Sequence, residues 1–336
     1  MNKLVIAFAV GLVILNLVAG CSGEEPTTTK SWATQTTTSS TLPAPSPATV
    51  TALETKVLVE GLVFPEGPRW HEGKLWFSDI HARRVMTVDM DGKTETIVEV
   101  PGQPSGLGWL PDGRLLVVSM LNKQLLRLDP QGLTVVADLS GLASGNCNDM
   151  VVDDLGRAYI GNEGLGTHLS PPQFKVGMAE IIMVTPEGDT HIVAGDMIYP
   201  NGTVITPDGL TMIVAETFGL RLMAFDIEPD GSLTGKRLWA ILGDVWPDGI
   251  CLDAQGGIWV ACAESPQVIR VLEGGEVTHR VKTAGSAFAC MLGGPDLRML
   301  FVLTAPTSDD EQAKAKASGR IETIRVDVPG AVSTGK

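Results

Sequence analysis

The sequence predicts an all-β fold, a six-bladed β-propeller over residues 55–330, and three observations carry that expectation. From about residue 55 onward, short apolar stretches rich in β-branched residues are separated by Asp-Gly, Gly-Gly and Pro-Asp-Gly turns, and helical periodicity is nearly absent. The turns recur: Gly73 in HEGKLWF, Gly113 in PDGRLLV, Gly156 in DLGRAYI, Gly209 in PDGLTMI and Gly256 in AQGGIWV stand 40, 43, 53 and 47 residues apart. A weaker sixth copy, GPDLRMLFV, places Asp296 another 40 residues on. Units of this length hold about four strands each, and closing them into a ring removes the exposed sheet edges.

Taken in chain order, residues 1–20 (MNKLVIAFAVGLVILNLVAG) carry one Lys and then an apolar run ending in small residues, the pattern of a secretory signal. Cys21 follows, and LVAGC resembles the lipobox of bacterial lipoproteins, in which the Cys is lipidated; a plain signal-anchor helix is the alternative. Residues 21–54 are rich in Thr, Ser and Pro and poor in large apolar residues, so they read as a tether. These segments predict an exported protein of the cell envelope, a monomer that meets the membrane only through its N-terminal lipid. Within the propeller, GNEGLGTHLSPPQFKVGMAE (161–180) is a Gly/Pro-rich insertion suited to a lid over the channel mouth. SDDEQAKAKASG offers one short helical turn, and RIETIRVDVPG is expected to share a blade with TKVLVEGL and close the ring.

Composition excludes several functions. The formal charge is −14, and loss of residues 1–20 removes only Lys3 and leaves −15; no basic run interrupts this, so nucleic acid is not a partner. Cys147, Cys251, Cys262 and Cys290 have no C-x-x-C spacing, and a disulfide between Cys251 and Cys262 stays open. The five His, at 71, 81, 168, 191 and 279, form no metal or catalytic motif. DMDGK (89–93) and EPDGSLTGK (228–236) lack the later Glu of an EF-hand and read as hairpin turns. GLGWLPDG precedes no helix and there is no G-x-S-x-G, which removes the dinucleotide and serine-hydrolase readings. Glu216 and Thr217 are polar inside an apolar run, either as a hydrogen bond across a blade or as neighbours of the channel.

Eight residues before Gly113, Gly156, Gly209 and Gly256 stand Ser105, Asn148, Asn201 and Asp248, and seven before Gly73 stands Glu66. The sixth repeat has Phe288 and Ala289 there. If these strands are innermost, five oxygen-bearing side chains converge on the axis at one end. Turn residues capping strand starts would account for each alone; their common phase points to a shared cation that relieves two facing carboxylates. Oxygen ligands suit Ca²⁺ first, then Mg²⁺ or Mn²⁺, with Zn²⁺ a further candidate.

FPEGPRW…LWFSDI, NCNDMVVDDLGRAYIGN, YPNGTVITPDGLTMIVAET and PDGICLDAQGGIWVAC resemble the motifs of the gluconolactonase/regucalcin (senescence-marker protein) family, across nearly all of residues 58–330. The resemblance implies a six-bladed propeller with one catalytic divalent cation on its axis and lactone hydrolysis. It assigns the metal to Glu66, Asn201 and Asp248, and substrate contacts to Asn148, with Asn146 and Ser105 as further candidates. Asn146 stands where sugar-lactone members often carry an Arg, a departure that bears on the substrate. Asp248 is assigned a second role as the base that takes a proton from the attacking water. A phosphotriester or aryl ester hydrolase on the same site, and a non-catalytic extracellular binding propeller, are the alternatives.

Overall fold

The computed structural model describes residues 51–165 and 176–332, whose strands form six sheets arranged as the blades of a propeller. Blades 1 to 5 span residues 65–99, 104–138, 147–197, 200–241 and 246–282, each running outward in chain order from its innermost strand. Blade 6 takes three strands from 286–325 and its outermost from Lys56–Leu62, which pairs antiparallel with Gly319–Arg325. The ring is thus closed by the two segments the sequence singled out.

Apolar residues face both sides of most sheets because each blade is covered by its neighbours. Ile213, Ala215 and Leu222 of blade 4, for example, pack with Ile258, Val260 and Ile269 of blade 5. One strand was not anticipated: Thr51–Glu54, inside the predicted tether, pairs in parallel with Val277–Lys282 as a fifth strand on blade 5. Four residues are too short to show an alternating pattern. The signal segment, Cys21, the rest of the tether and residues 166–175 of the predicted lid lie outside the described residues.

DMDGK and EPDGSLTGK are hairpin turns. Asp89 Oδ1 accepts the Asp91 and Lys93 N–H groups, and Asp230 Oδ1 accepts that of Ser232. The short helix is Asp310–Lys316, capped by Asp309, whose carboxylate accepts the Gln312 N–H. Cys147, Cys251, Cys262 and Cys290 are free and buried, so the Cys251–Cys262 disulfide is not formed. The register opposes Cys251 to Trp259 and Cys262 to Pro247, while Cys251 Sγ lies 3.9 Å from Cys290 Sγ of the next blade.

The innermost strands are Pro65–His71, Pro104–Trp109, Cys147–Val152, Pro200–Ile205, Trp246–Leu252 and Ser286–Gly293, and all six break their ladder at one level. Pairing slips between Glu66 and Arg69, Pro104 and Leu107, Cys147 and Met150, Pro200 and Thr203, Pro247 and Ile250, and Ala287 and Ala289. A bulge of this kind frees residues from the ladder and re-aims their side chains. Neighbouring inner strands also meet backbone to backbone at glycines. A Cβ on Gly106 would lie 2.3 Å from Met150 N, one on Gly202 2.4 Å from Ile250 N, and one on Gly249 2.7 Å from Ala289 Cα.

Gly202→Ala is therefore expected to destabilise the domain by about 1–3 kcal/mol, the usual cost of overpacking. Gly141→Ala, where a Cβ meets nothing within 4 Å, serves as the control. Urea midpoints of the two variants check this.

Candidate functional site

Four of the side chains singled out from the sequence meet in one cavity. Glu66, Asn148, Asn201 and Asp248 line a space of about 580 Å³ at the end of the axis where the inner strands begin, with Asn146 on its wall. The second strand of several blades holds these strand starts in place. Asp79 accepts the Val63 and Phe64 N–H groups just ahead of Glu66. Asn162 Oδ1 accepts the Gly145 N–H ahead of Asn148, and Glu216 Oε1 accepts the Ile198 N–H ahead of Asn201. Asp79, Asn162 and Glu216 are fully buried. Glu216 also pairs with Arg221, so its role is structural.

Thr217, its neighbour in sequence, belongs to the cavity. Its hydroxyl donates to the Pro247 carbonyl at 2.8 Å and accepts Asn201 Nδ2 at 3.2 Å. That anchors Asn201 through its amide nitrogen. Ser105 is not on the cavity wall; it is buried, and its hydroxyl donates to Asn148 Oδ1 at 3.2 Å, so it positions Asn148.

The two axial carboxyls are electrostatically uncompensated. Burial pushes Glu66 up from the ordinary 4.5 to about 8, and the nearby Asp149 charge adds to it against the Gly67 N–H bond and Arg69. Asp248 is raised well above its ordinary value by burial first, then by Glu66 and Asp149. In ring order Phe288 of blade 6 stands between them and contributes no polar atom. Among the described residues neither carboxyl has an ion pair. Asp149 does: Arg69 donates to it at 2.9 Å and also to the Met150 carbonyl, tying blade 1 to blade 3. Arg69 in turn lines a second cavity, of about 560 Å³, at the far end of the axis.

The sequence did not single out the residues of the cavity mouth. His81 lines it, stacked on Phe64 at 4.9 Å, with Nε2 3.0 Å from the Ser308 carbonyl and Nδ1 3.1 Å from Asp310. Burial holds its pKa below the ordinary value, which favours the neutral ring. Glu163 Oε2 accepts from Asn146 Nδ2 at 2.9 Å, and Glu163 Oε1 accepts the Tyr199 hydroxyl at 3.3 Å; burial raises both acids. These residues stand alone in sequence with no spacing to mark them, and only the fold gathers them.

The donor set of the axis fits a hard divalent cation. It offers two carboxylates and two amides with no His or Cys among the four, a set that suits Ca²⁺, Mg²⁺ or Mn²⁺ before Zn²⁺. Among the described residues no three His, Cys, Asp or Glu side chains are placed to hold a metal ion by themselves, so the amides are an essential part of this set.

The SMP-30/gluconolactonase/LRE-like region matches residues 64–306, which take in all five axial positions. The chain belongs to this family. A 6-deoxy-6-sulfogluconolactonase of Pseudomonas putida is 27% identical over 279 residues, 80% of this chain and 93% of that one. A regucalcin of Xenopus laevis is 27% identical over 271 residues, 77% and 89% of the two chains. Among solved structures, a calcium-binding regucalcin of Agrobacterium tumefaciens superposes with a TM-score of 0.71 at 24% identity, covering 85% of this chain and 98% of that one. It shares the six-bladed fold.

A carboxyl whose folded pKa exceeds its unfolded value keeps a proton that the unfolded chain has already lost, so stability falls as pH rises between the two values. For Glu66 that window opens at 4.5 and closes at about 8, and Asp248 acts in the same direction. Chelated protein is expected to lose thermal stability steadily from about pH 5 to about pH 8. The double variant Glu66→Gln, Asp248→Asn flattens that slope. Melting curves across the range, with and without chelator, check both statements.

Proposed function

We propose that the axial cavity is the active site of a divalent-cation-dependent lactone hydrolase, with Ca²⁺ as the first choice of cation, exported and held at the cell envelope by a lipid on Cys21. The observation that carries the reading is the pair of buried carboxyls, Glu66 and Asp248, both raised by burial first and by neighbouring acids second, facing one cavity with two amides. A cation there neutralises charge that the protein itself leaves uncompensated. The gluconolactonase activity in the name of the Pseudomonas relative supports the reaction class.

Glu66, Asn201 and Asp248 hold the cation. When bound it polarises the lactone carbonyl and makes water more acidic. Asn148, steadied by Ser105, bonds to the substrate. Asp248 accepts the proton of the attacking water. A new C–O bond forms from the water oxygen, the ring C–O bond breaks, and Asp248 returns the proton to the departing ring oxygen. The product is the open hydroxy acid. Phe64 and Phe288 exclude bulk water from that exchange.

Purified residues 53–336 should contain a divalent ion and hydrolyse simple γ- and δ-lactones, lose activity on chelation and regain it when metal is restored. Asp248→Asn is expected to lower turnover by about 100-fold or more, the usual worth of a positioned base. Near-normal turnover with metal bound refutes the base assignment. Protein with neither metal nor lactone turnover moves the reading to a binding propeller. Thr217→Val frees the Asn201 amide and is expected to weaken cation affinity by about tenfold, as loss of a ligand's supporting hydrogen bond does; calcium titration calorimetry measures it.

A further inference from the structure

We infer that the axial cavity takes an uncharged lactone bearing an aryl or alkyl substituent, in preference to an anionic or polyhydroxylated one. This rests on the lactone-hydrolase reading of the same site and names its substrate class.

The first argument is charge. Among the described residues lining the cavity there is no Lys or Arg, while Glu66, Glu163, Asp248, Glu264 and Asp310 are acids. The only other ionisable group capable of positive charge is His81, which burial keeps toward its neutral form. A sulfonate, phosphate or carboxylate on the substituent would be desolvated beside acids with no Lys or Arg among the described lining residues to meet it, the one cation of the site being engaged by the lactone group. The chain's net charge of −14 also slows the approach of anions.

The second argument is the wall. Phe64 and Phe288 meet edge to face at 4.9 Å and cluster with Ile80 and Met120. A second aromatic group runs from Tyr199 to Phe218 at 5.0 Å and on to Trp246 at 5.6 Å. Trp246 remains 41% exposed where it lines the cavity, so its ring is open to a ligand there. The cavity of about 580 Å³ is far larger than a bare lactone ring and lies in the range of sites for drug-sized ligands.

The third argument is that several polar groups of the wall are already engaged within the protein. Asn146 and the Tyr199 hydroxyl both bond to Glu163, Gln103 lies 3.4 Å from His81 Nδ1, and Thr217 bonds to Asn201 and Pro247. A polyol would have to break these bonds to make its own, whereas an apolar substituent leaves them intact.

The test compares kcat/KM for four lactones on the metal-loaded domain: δ-valerolactone, its phenyl-substituted form, gluconolactone, and a δ-lactone carrying a terminal sulfonate. In parallel, tryptophan fluorescence, read against the Trp246→Ala variant to isolate that residue among the chain's seven Trp, follows binding of the phenyl-substituted lactam, which keeps the shape but resists hydrolysis. The expected result is a preference of about tenfold or more for the phenyl lactone over δ-valerolactone, as a well-filled apolar pocket supplies, and of about 100-fold or more over the sulfonate. Trp246→Ala and Phe218→Ala should shrink the phenyl preference, mainly through KM, with circular dichroism reporting that the variants fold. Preference for gluconolactone or the sulfonate overturns the inference and leaves the hydrolase reading standing. Hydrolysis of none of the four with tight lactam binding overturns the hydrolase reading and supports the apolar cavity. Neither hydrolysis nor lactam binding overturns both.

Discussion

Six strands compete for the space around one axis, and the rest of the molecule follows from how that crowding is resolved. The strands approach until backbone meets backbone at Gly106, Gly202 and Gly249, where any side chain would collide with the neighbouring blade. A regular ladder cannot continue through such a point, so each inner strand slips its register there. The slip frees side chains from the alternation of the sheet and, in every blade but the second, delivers one to the axial cavity. Packing and chemistry thus share a cause: the geometry that lets the ring close also presents Glu66, Asn148, Asn201 and Asp248 to one another.

The resulting arrangement is electrostatically unstable by itself. Four blades contribute an axial polar residue to the cavity, and the sixth contributes Phe288, which stands between the two carboxyls in ring order and offers them no polar partner. Asp149, the third acid near the axis, is answered by Arg69, and that pair ties blade 1 to blade 3 between the two cavities. The unanswered charge is therefore confined to one end of the channel. Around it the protein is rigidly braced, since Asp79, Asn162 and Glu216 clamp the segments that lead into the axial strands.

Most of this architecture was legible in the sequence because repetition exposes it. The turn glycines marked the blades, and the common phase of Glu66, Ser105, Asn148, Asn201 and Asp248 marked the axis. What stayed hidden has no periodicity. Ser105 shares the phase, yet its short side chain reaches Asn148 instead of the cavity. His81, Glu163 and Tyr199 come from loops of different blades, and no spacing relates them. Thr217 and Glu216 are adjacent in sequence and diverge in role because neighbouring residues of a strand end face opposite ways. The Thr51–Glu54 strand exists only because the edge of blade 5 offers it a partner.

Blade 6 has a consequence for how the protein comes into being. Its outermost strand is among the first segments made and its other three are among the last, with Lys56 opposite Thr323. Such long-range pairings form late, after most of the chain has been synthesised. Until then Lys56–Leu62 has no partner in its own blade, and Phe288 is not in place between blades 1 and 5. Glu66 and Asp248 are therefore enclosed together only when blade 6 completes the ring. The molecule meets its own charge repulsion only in the final moment of closure, when the ring that creates the repulsion is also complete enough to contain it.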